Sequence, residues 1–90
     1  MMSQIPIDIN KVKQEDLERE ILRASIIAEL DAINLYEEMA NITDNEDLRA
    51  VLLDVAGEEK THVGEFQTML LRMDEEQARE LVKGKNEVKS

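Results

Sequence analysis

The 90 residues contain one histidine, His62, and it follows Glu59 by three positions in Glu59-Lys60-Thr61-His62. On a helix this spacing sets an imidazole and a carboxylate on one face, about one turn apart. Two such groups can share a metal ion. In a chain so rich in Glu, however, an ExxH arises by chance roughly one time in six, and spacing alone decides little. Location adds the weight. Leu52, Val55 and Ala56 precede Glu59 on its face, and Val63 and Phe66 follow it. A second carboxylate, Glu29, is flanked by Ile26 and Ile33 one turn away and by Leu22 and Tyr36 two turns away. Both acids interrupt apolar stripes on which no Lys or Arg falls. An ionised carboxylate placed there costs several kcal/mol unless a cation or strong donors compensate. Glu58, by contrast, falls with Asp54, Thr61 and Glu65 on the polar side.

The elements that must position these groups are helical, and the fold class expected is all-α in a single domain over residues 1–90. From 14 to 41 the chain has no Gly or Pro, and Glu15, Asp16 and Glu18 crowd the first turn, where they complement the helix dipole. Asn41 to Glu46 reads as a break, with Thr43 or Asp44 as cap and Thr43 with Glu46 as a capping box. A second helix is expected over 45–73. A short third helix is expected over 74–83, with Asp74 as its cap and Gly84 as its C′ glycine. Residues 84–90 read as a frayed tail, and 1–13, with Ile5, Ile7 and Ile9 alternating around Pro6 and Asp8, as an extended arm. A loop this short between long helices makes an antiparallel hairpin.

The apolar residues of the first helix spread over an arc wider than roughly 200°, about twice what one partner helix covers. The second helix adds a minor stripe at Leu53, Gly57, Gly64 and Leu71. Two helices of this width do not satisfy each other, so a second hairpin is expected to close a four-helix bundle. The two glycines either admit a closely packed partner or are merely tolerated, at about 1 kcal/mol each. Counted from the loop, Glu29 lies about 13 residues back and Glu59 about 16 forward, a mismatch of about one turn at 1.5 Å per residue. The three groups can therefore meet. Two Glu and one His form half of the set found in di-iron bundles, and a twofold dimer of hairpins supplies the other half. Carboxylates with one imidazole per metal suit Fe(II) or Mn(II) rather than soft Cu(I).

Charge and composition exclude other classes. With 21 acids against 11 bases the net charge is −10, which repels phosphate backbones and disfavours nucleic-acid binding. There is no Cys, so disulfides, thiolate zinc sites and iron–sulfur clusters are excluded. No apolar stretch approaches the roughly 20 residues that span a bilayer, and the N-terminus lacks a secretory pattern. A soluble intracellular protein is expected.

At this level of detail the chain resembles the encapsulated ferritins, or half-ferritins, of the wider ferritin and rubrerythrin group. The resemblance covers about residues 22–73 and rests on Ala28-Glu29-Leu30-Asp31-Ala32-Ile33-Asn34-Leu35-Tyr36 together with Glu58-Glu59-Lys60-Thr61-His62. It implies a hairpin whose dimer builds a ferroxidase centre across its interface, with two irons per dimer, dimers assembling into a ring-shaped decamer, and residence in the cytoplasm inside an encapsulin shell. By position, Glu29, Glu59 and His62 match the family's iron ligands, and Tyr36 matches a tyrosine beside the metals. The acids that flank the helix 1 ligand and admit the ion in the family are represented here by Asp31 alone, Ala28 standing in the other place. Residues 84–90 are polar apart from Val88 and show no shell-docking peptide of the family's type, so targeting is expected by fusion to the shell protein or the chain is trimmed.

Three functions fit these readings. The first is a ferroxidase feeding an iron store. The second is a rubrerythrin-like peroxidase, which usually draws electrons from a Cys-ligated iron that this chain lacks. The third is a helical oligomerisation or cargo module whose inward acids bind a structural metal. The plain alternatives for single residues are a core histidine bonded to a carbonyl for His62, a shared-proton pair for Glu29 and Glu59, and simple packing for Tyr36.

Overall fold

A computed structural model describes residues 13–88. The chain forms three helices, α1 (Gln14–Ile42), α2 (Glu46–Met73) and α3 (Glu75–Glu87). Among the described residues there is no strand. Apart from Lys13, the extended arm expected over 1–13 lies outside the described residues.

α1 and α2 pack as an antiparallel hairpin, and α3 adjoins α2 and faces α1 across a cleft lined by Arg23, Ile26, Ile27, Gln77 and Leu81. The most deeply buried side chains are small: Ala40 and Ala56 are 1% and 2% exposed, with Leu22, Ala24, Ile33 and Leu70 completing the buried set. The hairpin buries little else. Ile27, Leu30, Val51, Leu53 and Met69 are each about half exposed or more. The radius of gyration is 16.3 Å, and one dimension of the molecule is only 17 Å. A compact chain of this length has a radius of about 12 Å. The described chain is thus a single layer of helices with apolar surface left over, as its two wide stripes dictate.

The loop between α1 and α2 departs from the expected capping box. Asn45 is the cap of α2, its side chain accepting from the Leu48 backbone N–H at 3.0 Å. Thr43 turns its hydroxyl to the Asn45 N–H instead (3.1 Å), so it shapes the loop rather than capping the helix. Arg49 reaches back from α2, donating from Nε to the Ala40 carbonyl at 2.9 Å and from its guanidinium to the Thr43 carbonyl. It thereby satisfies carbonyls that the end of α1 leaves without helical partners.

Asp74 is the elbow between α2 and α3. Its N–H closes α2 on the Leu70 carbonyl (2.9 Å), and its carboxylate caps α3 at the Gln77 N–H (2.9 Å) and accepts from Arg23 of α1 (2.8 Å). The Gln77 N–H above all, with the bond and charge of Arg23 and the charge of Arg19, holds this carboxyl below its ordinary range, against a smaller upward push from partial burial. Arg19 also donates to the Met73 carbonyl at 3.3 Å. α3 does not stop at residue 83. Gly84 keeps a negative φ and the helix runs through Glu87, so Gly84 is an interior residue and not a C′ cap. The expected frayed tail is helical as far as residue 87, and residues 89–90 lie outside the described residues.

Candidate metal centre

Glu29 projects from the middle of α1, and Glu59 and His62 from the middle of α2, all three half-buried. Helical periodicity alone puts the α2 pair on one face; the hairpin register brings α1's carboxylate to it. His62 Nδ1 lies 3.4 Å from Glu29 Oε2 and 3.5 Å from Glu59 Oε2. One donor atom from each residue falls within 4.8 Å of the other two. Among the described residues this is the one group of three or more acidic or imidazole side chains so arranged.

The electrostatics are unbalanced. Both carboxylate side chains are 19% exposed. Glu29 Oε2 is fully buried and has no hydrogen-bond partner, although the His62 nitrogen is 3.4 Å away. A buried carboxylate oxygen without a donor is costly, and a cation is the usual compensation. The ammonium nearest in sequence, Lys60, is engaged elsewhere, at Glu37 of α1 (3.0 Å). Two carboxylates and an imidazole with a partnerless oxygen fit a borderline-hard divalent ion such as Fe(II) or Mn(II).

The other residues singled out in the sequence lie on the same helices outside this group of three. Tyr36 is half-buried two turns along α1 from Glu29, and Asp31 is half-buried and not a member of the three. Glu65, expected on the polar side, is exposed and also lines a cleft with Glu29, His62, Phe66 and Met69. Its spacing of three from His62 was the available signal.

A family model for rubrerythrin matches residues 20–90. The chain belongs to the rubrerythrin family. Its resemblance to the encapsulated ferritins extends beyond the two motifs. The chain is 56% identical, over 99% of its length, to a ferritin-like–encapsulin shell fusion protein of Pyrococcus furiosus, and 47% identical, over 76% of its length, to the encapsulin nanocompartment cargo protein EncC of Myxococcus xanthus. It spans about a quarter of the first relative (26%) and about half of the second (52%). The crystal structure of the encapsulated ferritin domain from Pyrococcus furiosus superposes with a TM-score of 0.79 at 51% identity, covering 93% of this chain and 86% of that one. This rubrerythrin-family chain therefore has a ferritin-like helical fold, with three helices among the described residues.

Proposed function

We propose that this chain is a ferroxidase that oxidises Fe(II) with dioxygen at a two-iron centre built between twofold-related hairpins. The observation that carries the reading is the convergence of Glu29, Glu59 and His62 within 4.8 Å around a carboxylate oxygen that lacks a partner. Two copies bring four carboxylates and two imidazoles, the ligand count of a di-iron bundle. The same pairing covers the apolar surface at Ile27, Leu30, Val51 and Leu53 that a single hairpin leaves in water.

In this reading Fe(II) is the substrate. Two Fe(II) ions give one electron each to a dioxygen molecule, which takes two protons and leaves as hydrogen peroxide. Glu29 and Glu59 bind and neutralise the ions, with charge enough to favour the trivalent product. His62 supplies a nitrogen ligand. The apolar walls limit bulk water around the reacting groups. Tyr36, on the same face of α1 as Glu29, is assigned a place beside the metals. Dimers assemble further, into a ring-shaped decamer. From its relatives' association with encapsulin shells, the chain is assigned to the interior of an encapsulin nanocompartment in the cytoplasm, where the shell stores the iron it oxidises.

The test is anaerobic addition of Fe(II), then air, with native mass spectrometry on the same sample. About one iron per chain, an even subunit number and rapid oxidation are expected. Glu29→Ala, Glu59→Ala and His62→Ala should each slow oxidation at least about tenfold, as loss of metal ligands or their supports does, with helix content unchanged. Wild-type rates in all three variants refute the assignment. Turnover of hydrogen peroxide with an external reductant and no net Fe(II) oxidation would make the chain a peroxidase instead.

A further inference from the structure

Beside the three-residue group is a cleft of about 420 Å³ lined by Glu29, His62, Glu65, Phe66 and Met69. Glu29 and His62 are already assigned, and Phe66 and Met69 contribute apolar wall. Glu65 is the remaining charge. It lies three residues beyond His62, roughly 4.5 Å further along α2, and its side chain is exposed. Among the described residues it forms no ion pair. Glu29 lines the same cleft, and its Oε2 is buried without a donor.

The polar groups lining the cleft therefore differ in burial: an exposed carboxylate, a half-exposed imidazole and a buried carboxylate oxygen. A buried oxygen exerts little pull on a hydrated dication in bulk water. An exposed carboxylate on the lining of a cleft with apolar walls does, because low-dielectric walls focus its field and raise the local concentration of counter-ions. Asp31, the acid that the family resemblance marks for ion access, does not line this cleft. We infer that Glu65 draws a hydrated divalent cation into the cleft and passes it to His62 and Glu29. The inference rests on the metal site proposed above and adds a residue to its loading, not to its ligand set.

The experiment is stopped-flow mixing of the assembled protein with Co(II), followed by the visible absorption of the bound ion. It requires no oxidation. Glu65→Gln should lower the association rate roughly threefold to tenfold at low ionic strength. The deficit should vanish near 1 M salt, where the screening length is about 3 Å, with the final amplitude as in wild type throughout. Glu65→Asp, which keeps the charge, should bind at close to the wild-type rate. Glu38→Gln removes the same charge from an exposed position nine residues from Glu29, about half a turn round α1, and should leave the rate unchanged. Three results overturn the inference: a wild-type rate in Glu65→Gln, equal slowing in Glu38→Gln, or a reduced amplitude in Glu65→Gln that would make Glu65 a ligand. Wild-type protein that binds no Co(II) would remove the metal site itself, a different failure.

Discussion

Removing the charge of Glu29 should strengthen the metal-free protein while abolishing its response to metal. The Glu29 and Glu59 donor atoms are at most 4.8 Å apart, so two full charges at an effective dielectric of about 20 repel by at least about 3.5 kcal/mol. With twice that dielectric, for the side of the group that His62 leaves open at 44% exposure, the figure is about 1.7 kcal/mol. The His62 Nδ1 between the two carboxylates offsets part of this, and the new carboxamide brings its own need for partners. A net gain of about 1 kcal/mol remains for Glu29→Gln, which corresponds to roughly 4 to 8 °C in the melting midpoint of a domain this small. Calorimetry with and without Mn(II) gives both halves of the prediction. Metal at a hundred times its dissociation constant should stabilise the wild type by about 2.7 kcal/mol and the variant by nearly nothing. A Glu29→Gln protein that melts below wild type without metal, and still gains with metal, would show that the carboxylate is satisfied by the protein alone.

Two further predictions concern the scaffold. A Cβ added at Gly57 meets nothing within 4 Å inside the protomer, so Gly57→Ala should raise stability by about 1 kcal/mol in chemical denaturation; a loss of stability with weakened self-association would show that another copy occupies that space. The Asp74 carboxyl is held below its ordinary value, so its contribution is complete at neutral pH and is lost as the pH falls below about 4, through the lowered folded-state value. Asp74→Asn should accordingly be less stable than wild type at pH 7 and converge with it toward pH 2.5. A constant gap over that range would contradict the elbow's ionic character.

The residues of the candidate metal group were legible because helical periodicity is local. Glu29, Glu59 and His62 stand out once the apolar stripes are drawn, since an acid amid Ile26, Ile33, Val55 and Val63 has no local reason to be there. The cap of α2 was less legible. Thr43, Asp44 and Asn45 are all good capping residues whose energies differ by less than the turn geometry decides. Asn45 wins because Arg49 holds the Thr43 and Ala40 carbonyls and so fixes where the loop ends. Gly84 was misread for a similar reason, because a glycine stops a helix only where the backbone turns to positive φ, and here it does not.

What the linear order of residues determined by itself is a set of long amphipathic helices, a hairpin, and a buried-acid pattern with no cysteine or basic patch to confuse its chemistry. The tertiary structure decided the axial register of α1 against α2, and with it that the donor atoms of all three residues fall within 4.8 Å of one another. It also decided that Glu65 belongs to the cleft beside them. Which face a residue takes on its own helix follows from local backbone geometry, whereas which residues of two helices come opposite each other depends on how alanines such as Ala40 and Ala56 let the helices close, a property of the packed pair.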